Sequence, residues 1–523
     1  MNKIVSVRDF PNVQMFGHDF LAYILDVPVD AIKEMLSNKG TSLTLNRIQV
    51  LKAVDQSALA LKNSRQGNQS FGFSDRINLS FQEEVVNNWR NSISPPRLMK
   101  KTGPKLEDLF CEYAAKSYVF NLLPKNDFMS HPWGPELHGT KLYNNLVDEI
   151  IADSDFSKLF HTIDTENFFG THGMVYNSFG SGRSIQAVGL MDQVLNAAIQ
   201  RMFISEEDSA YDLQKAVKSC LKDIRRTING HNVKVECVTI YEGICLPQGT
   251  KLKIGGSYLQ PLTKKFAKLF GRVLEIPKSQ NGWMGCILVS KVPYYMHIIE
   301  NPDDAKRRER PEIEFTTTPP EVNLLPLIVS LAFDSKVGLK SRLTKFLDPL
   351  GGTGYSFSRS NHSRLRQKIA TKDEVSKLET ISKIVSSKKI ANIQVATNRY
   401  ISALNNRTDS TDVLLDAVIG LENLFGQRSE ISFAIANSVS RMLYDDYDER
   451  LRAFKELKDI YAARSTVVHG DTKQKNKLNV PEFSEKAIDF LGRSLMIMIS
   501  KKPELIDFSS ADRVKAIALK DKG

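Results

Sequence analysis

Paired cysteines are missing from this sequence. Its 523 residues include five cysteines, an odd number, and none of them belongs to a C-x-x-C pair. A disulfide scaffold requires paired cysteines and a zinc ribbon requires closely spaced pairs, so the cysteine content argues against both. So few cysteines are typical of a reducing compartment, and we expect a cytoplasmic protein.

Long apolar runs and metal-binding motifs are missing too. The longest apolar run, residues 323–333, is shorter than the roughly 20 residues that cross a bilayer, and it contains a proline. The first residues, MNKIVSVRDFPNV, lack the apolar core of a secretory signal. No H-E-x-x-H pattern or paired Cys/His spacing places metal ligands together, and we expect His131, His138, His161 and His172 to lie in loops. We therefore expect no membrane association, no metal and no cofactor.

What the sequence contains is an ordinary globular composition with a basic balance. Hydrophobic residues make up 41% and charged residues 25%, proportions that suit a chain with a sizeable core. Lys and Arg number 71 against 60 acids, and the net charge of +11 favours polyanionic partners such as nucleic acid. Because the chain exceeds one typical core, we expect three or four units.

The pattern along the chain predicts a multidomain α+β protein. We assign residues 1–65 to a small helical unit, 66–230 to a mixed, mainly helical region with loops, 231–340 to a β-rich domain and 341–523 to an all-α helical bundle. The β-rich assignment depends on the alternation of apolar and polar residues from 233 to 241, which is the period of a half-buried strand. The helical assignments depend on apolar residues that recur at helical spacing.

Residues 20–62 contain a short helical pattern, a Val-Pro break and a second helical pattern that ends before Gly40. The arrangement superficially resembles a DNA-binding helix-turn-helix. The same pattern is several times more common in plain helical bundles. We interpret the unit as a plain helical one and keep a DNA-binding regulator as an alternative function.

The segment RLRAFKELKDIYAARSTVVHG, residues 450–470, places an arginine on the apolar face of a helix. On a wheel centred on Leu457, an arc of about 80° to either side contains Phe454, Ile460, Tyr461, Val467 and Val468. Arg464 falls inside the same arc. A charge on a packing face is destabilising unless it meets a carboxylate, a phosphate or a hydrated subunit interface. Arg464 is therefore either half of a structural ion pair or a group that faces a ligand.

The helix predicted over TDVLLDAVIGLENLF, residues 411–425, offers Arg464 a partner. Glu422 lies between Leu415 and Val418 on its wheel, whereas Asp416 and Asn423 lie on the polar side. We therefore expect Glu422, rather than Asp416, to be the buried acid.

His469 follows Arg464 by five residues, about 7.5 Å along the axis and some 140° around it. The two side chains cannot overlie but can flank one shared substrate. Gly470 suits the position after the helix end and places His469 in the last turn, where the helix dipole favours protonated imidazole. Such a histidine suits acid-base chemistry near neutral pH, although spacing alone favours an ordinary helix-ending histidine.

Three successive segments here, DVLLDAVIGLENLF, SEISFAIANSVSRML and FKELKDIYAARSTVVHGD, resemble the helices of Apea-like HEPN domains. Arg464 to His469 match the R-x4-H element of that family. The resemblance covers about residues 398–471 and extends more weakly to GICLPQGTKLKIGGSYLQPLT in the β-rich region. Nothing comparable covers residues 1–230.

The resemblance implies a homodimer through the C-terminal helices that cleaves RNA without a metal, in a cleft that both R-x4-H elements form. Arg464 would then hold the scissile phosphate, with Glu422 in support, and His469 would move protons between the ribose 2′-OH and the 5′-oxygen leaving group. Such proteins often act in bacterial antiviral defence or as toxins, while other domains sense a trigger, phage-derived or other. A HEPN module that binds RNA or protein without cutting is the second alternative.

Overall fold

The computed structural model describes most of the chain as a mixed α/β protein with a helical C-terminal region. The described residues are 2–63, 79, 82–101, 103–123, 140–164, 170–180, 182–263, 266, 276, 278–279, 282–299, 316–333, 337–351, 355–357, 367–386, 388–427, 429–469 and 478–519. No helix within these ranges is both long enough and apolar enough to span a bilayer.

Helices dominate both ends of the chain, and strands are concentrated between them. The helices are α1 Gly17–Leu25, α2 Val29–Leu36, α3 Leu45–Asn63, α4 Glu83–Ile93, α5 Lys105–Asn121, α6 Lys141–Ala152, α7 Ala187–Ile204, α8 Ala210–Ile228, α9 Pro320–Ala332, α10 Lys372–Val385, α11 Gln394–Asn405, α12 Ser410–Phe425, α13 Ile431–Leu443, α14 Tyr447–His469, α15 Val480–Ser500 and α16 Ser510–Leu519. The strands are β1 Asn2–Val5, β2 Thr41–Thr44, β3 His172–Asn177, β4 Gly182–Gln186, β5 Val233–Glu242, β6 Ile244–Cys245, β7 Leu252–Ile254, β8 Ser257–Pro261, β9 Lys278–Ser279, β10 Gly282–Trp283, β11 Gly285–Tyr294, β12 Met296–Ile299, β13 Lys340–Phe346, β14 Tyr355–Phe357 and β15 Lys368–Ile369.

The first unit is mainly helical, as its apolar spacing predicts, but it also contains a pair of strands. β1 and β2 pair antiparallel, with Asn2 opposite Thr44 and Val5 opposite Thr41. Each strand has four residues, which is too short for an alternating pattern to stand out in the sequence.

A six-stranded sheet separates two apolar cores. Its strand order is β14-β13-β5-β11-β8-β7, and the strand predicted from alternation is β5 at its centre. Consecutive residues of a strand point to opposite faces. Ile240 therefore joins the core that contains α7 and α8, whereas Tyr241 joins the core that contains α9 and the C-terminal helices. The sheet is thus buried on both faces along much of its width.

The sheet continues beyond the boundary expected near residue 340. β13 pairs with β5, for example Thr344 with Thr239, and β14 pairs with β13. A boundary at residue 340 would therefore separate β13 from the strand to which it is hydrogen-bonded. The helical C-terminal region begins after these strands.

The helix α12 occupies the centre of the C-terminal helices. It packs against α11, α13, α14, α15 and α16. Gly420 permits the close approach of α15, because a Cβ at this position would lie 2.6 Å from the Leu491 side chain. Since α12 is covered on several sides, side chains that point in different directions from it are all partly or fully buried.

Candidate functional site

The helix α14 carries the predicted arginine and histidine, and its buried face is rotated from the predicted one. Its buried residues are Ala453, Leu457, Ile460, Ala463 and Val467. At 100° per residue this stripe is centred about 60° away from Leu457. Tyr461 and Phe454 are consequently only half-buried, and Val468 is 49% exposed, so the prediction that these three share the buried arc is wrong.

Arg464 lies at the border of this buried stripe. Its Nη2 is 3.8 Å from Oε1 of Glu422, the partner that the sequence predicts, and its side chain is 26% exposed. Its Nε is buried and finds no hydrogen-bond partner among the described residues. A separation of 3.8 Å is an ion pair without a hydrogen bond. The guanidinium therefore retains donors for a further acceptor.

Glu422 is not the buried acid of α12, and the prediction to that effect is wrong. Its side chain is 25% exposed, whereas that of Asp416 is 3% exposed. The wheel assumes a single packing face, but α11 covers the side of α12 on which Asp416 lies. Asp416 is therefore buried where the sequence suggests a polar surface.

Asp416 is fully occupied by its neighbours. Its carboxylate accepts hydrogen bonds from Arg399 Nη1 at 2.6 Å, Arg407 Nε at 2.8 Å and Ser402 Oγ at 2.8 Å. Burial by itself would raise the pKa of this carboxyl, but the hydrogen bonds from Arg407, Arg399 and Ser402 together hold the pKa below its ordinary value. This cluster joins α11 to α12 and leaves no carboxylate oxygen unpaired.

Tyr461 is the third member of the group around Arg464. The Arg464 Cζ lies 5.9 Å from the centre of the Tyr461 ring, which is cation–π distance. Burial raises the pKa of the Tyr461 phenol, and the negative charge and hydrogen bond of Glu422 raise it further. The apolar pattern of α14 predicts only a packing role for Tyr461. Its position three residues before Arg464 indicates the contact, because residues three apart are neighbours on a helix.

His469 is the last residue of α14, as predicted, and its side chain is exposed. Gly470, the predicted helix-ending glycine, lies outside the described residues. Within the described part of the chain, Glu422 and Arg464 are brought together, whereas no ion pair or hydrogen bond joins His469 to either of them. Arg464 and His469 are related only by their places on one continuous helix.

A second stripe, apolar or aromatic at five of its seven positions, runs along the side of α14 away from its buried residues. Its positions are separated alternately by four and three residues, the spacing of a coiled-coil seam: Tyr447, Leu451, Phe454, Lys458, Tyr461, Ser465 and Val468. Tyr447 is 72% exposed and Leu451 is 40% exposed. We call these seven positions the α14 stripe. A row of exposed apolar side chains on one side of a helix is typical of an interaction site.

At its C-terminal end, the α14 stripe lies between Arg464 and His469 in the direction around the helix. Relative to Ser465, Arg464 lies about 100° to one side and His469 about 40° to the other. On the neighbouring helix α13, Phe433 is 50% exposed and packs edge-on against Phe454, with ring centres 5.6 Å apart. The apolar surface therefore spans two helices.

Within the described ranges, no group of three or more His, Cys, Asp or Glu residues has an arrangement that could hold a metal ion. His161 lies in a loop, as predicted, but His172 is the first residue of β3, so the loop prediction is wrong there. The two rings pack edge to face with centres 5.1 Å apart. His131 and His138 lie outside the described residues.

The second helix of the N-terminal unit has a solvent face of mixed charge. Asp30, Lys33 and Glu34 are the charged residues on that face of α2, and Lys33 Nζ lies 2.6 Å from Asp30 Oδ1. Two acids against one lysine oppose contact with DNA phosphates, so this face does not favour the DNA-binding alternative.

No protein-family profile, curated protein or solved structure matches the chain.

Proposed function

We propose that the protein is a metal-independent endoribonuclease of the HEPN type, in which two copies of the C-terminal helices form one composite site. A role in bacterial antiviral defence or as a toxin follows from the same resemblance, with the N-terminal and central domains sensing a trigger or the substrate. The observation that carries this proposal is the α14 stripe, which ends between Arg464 and His469.

The stripe supports a composite site for a geometric reason. In a twofold dimer, the same surface of both copies meets itself. If two α14 stripes pack together in parallel, the two Arg464 and the two His469 side chains lie at the same end of the seam and flank it from its two sides. Arg464 is half-buried, held by Glu422 at 3.8 Å and beside the Tyr461 ring, so it is partly ordered before any ligand arrives.

The chemistry assigned to the two residues differs. Arg464, whose side chain is 26% exposed, would hold the scissile phosphate and stabilise the negative charge that develops on its oxygens. The exposed His469 would move protons between the ribose 2′-OH and the 5′-oxygen leaving group. Attack of the 2′-oxygen on phosphorus leaves a 2′,3′-cyclic phosphate on the 5′ fragment and a free 5′-OH on the other.

A cleavage assay with cellular RNA tests the chemistry. Wild-type protein should cut RNA but not DNA, should act in the presence of EDTA, and should leave 2′,3′-cyclic phosphate ends. His469→Ala should lower the rate by about 10² to 10⁴-fold, the usual contribution of a proton-transfer group, and should leave the fold intact because the side chain is exposed. Products with 3′-OH and 5′-phosphate ends, or activity that requires Mg²⁺, would place the chemistry elsewhere.

Light scattering on the full chain tests the composite site. We expect a dimer that Leu451→Glu converts to a monomer with little activity. Leu59→Glu is the matched control, because Leu59 on α3 is 43% exposed and Leu451 is 40% exposed. A wild-type monomer that cleaves RNA at full rate would refute the composite site.

A further inference from the structure

Four exposed side chains form a basic and aromatic patch on the open part of the six-stranded sheet. Lys251 and Lys253 lie at β7, Tyr258 lies on β8 and Lys291 lies on β11. Tyr258 is 42% exposed, and the three lysines are exposed as well. We call this group the Tyr258 patch.

The register of the strands places these residues on one face. Lys253 is directly opposite Tyr258, and Tyr258 is directly opposite Val289. Lys251 and Lys291 each lie two residues from one of these positions, so they point to the same side. Directly opposed residues of neighbouring strands lie about 5 Å apart and diagonal neighbours about 7 to 8 Å apart, so all three lysines surround Tyr258.

This part of the sheet is uncovered although the rest of the same face is buried. The paired residues Lys253 and Tyr258 belong to a row that crosses the sheet and continues through Val289 and Val238 to Lys345. At that end of the row α7 and α8 cover the sheet, and Lys345 is 7% exposed. The helical cover ends near Gln260, whose Nε2 donates to the Ile204 carbonyl at the end of α7. The exposed tyrosine therefore lies just beyond the edge of that helical layer.

The charges of the Tyr258 patch are not neutralised within the described residues. Lys251 Nζ lies 5.1 Å from the centre of the Tyr258 ring, and none of the three lysines has a described carboxylate within ion-pair distance. Glu236, opposite Lys291, approaches Arg201 Nε at 3.6 Å instead. Glu321 Oε1 accepts a hydrogen bond from the Gly256 amide at the β7–β8 turn. Three cations without a carboxylate partner in the described part of the chain therefore surround one exposed ring.

We propose that the Tyr258 patch binds a single-stranded nucleic acid, with a base stacked on Tyr258 and the neighbouring phosphates on the lysines. An exposed aromatic side chain among cations on a sheet face provides both contacts that single strands need, whereas a duplex hides the faces of its bases. The requirement for the ring distinguishes this ligand from an acidic protein, which would need the charge alone. The site lies on the sheet and does not depend on cleavage at α14.

Binding of a fluorescent single-stranded oligonucleotide to the full-length His469→Ala protein tests the proposal without any need for cleavage. Tyr258→Ala should weaken binding about tenfold, while Tyr258→Phe, which keeps the ring, should bind as the parent does. Replacement of Lys251, Lys253 and Lys291 by Ala should reduce the slope of log affinity against log salt by about 2, or roughly 0.7 for each phosphate that a lysine no longer neutralises.

The matched control replaces Lys39, Lys52 and Lys222 by Ala. These lysines are also exposed and have no described ion pair, so the net charge changes equally. Equal losses in both triple variants, equal binding of duplex and single strand, or equal binding of polyglutamate would each overturn the proposal. So would the absence of nucleic-acid binding at low salt. Loss of RNA cleavage in any assay leaves this binding result unaffected, so the two proposals fail separately.

Discussion

Two acid–arginine clusters lie on α12, and they differ in how completely the acid is paired. Asp416 accepts three hydrogen bonds of 2.6 to 2.8 Å and is 3% exposed. Glu422, about 9 Å further along the helix axis, is 25% exposed and reaches Arg464 only at 3.8 Å. We call the Asp416 cluster closed, because both carboxylate oxygens accept hydrogen bonds, and the Glu422 cluster open, because its ion pair with Arg464 is too long for a hydrogen bond.

The difference separates a structural cluster from a candidate site. A buried carboxylate is tolerated when its oxygens are all paired, and the Asp416 cluster meets that requirement by joining two helices. A binding site must instead keep a donor available for its ligand. Arg464 does so, because its side chain is 26% exposed and its partner Glu422 lies 3.8 Å away, beyond hydrogen-bond distance.

The largest expected effect sharpens the comparison through activity. Arg464→Ala should lower RNA cleavage by about 10² to 10³-fold, the loss that follows removal of a group that stabilises transition-state charge. Arg407→Ala, in the closed cluster, should change the cleavage rate per folded protein by less than about twofold. The measurement is the single-turnover rate on one RNA substrate, with folded protein quantified by circular dichroism. Equal losses in the two variants would remove the distinction between the clusters.

The next effect concerns stability, and here the Asp416 cluster rather than the Glu422 cluster should show the larger loss. Asp416→Asn should destabilise the C-terminal helices by about 2 kcal/mol, because a buried side chain loses its charge-assisted hydrogen bonds to two partly exposed guanidinium groups. Glu422→Gln should cost less than about 1 kcal/mol, since a partly exposed ion pair contributes little. Amide hydrogen exchange in α12 measures both, and about 2 kcal/mol corresponds to roughly 30-fold faster exchange. A larger effect at Glu422 than at Asp416 would reverse our assignment.

Much of this arrangement follows from the sequence, and the exceptions all depend on packing or pairing with residues that are distant in the chain. Alternation predicts the strand β5, and helical spacing predicts the helix α14 but not which of its faces is buried. The prediction of the buried acid is wrong because a wheel assumes one packing face, whereas α12 is packed on several sides. The sequence groups β13 with the helices because a strand's membership in a sheet depends on a distant partner, here β5. The Tyr258 patch depends on register between three strands, which no local pattern contains.

The smallest effect is the pH dependence of the Asp416 cluster. The pKa of this carboxyl is lower in the folded protein, so its ionised form contributes stability above the unfolded value, which is near 3.9. That contribution disappears as the pH falls through the lowered folded pKa. The difference in α12 exchange protection between wild type and Asp416→Asn should therefore be greatest from pH 5 to 7 and should narrow below about pH 4. Protection is compared after correction for the intrinsic exchange rate at each pH. A difference that stays constant or widens in acid would mean that the carboxylate charge is not what holds Arg399 and Arg407, and the contrast between the closed and the open cluster would then rest on packing alone.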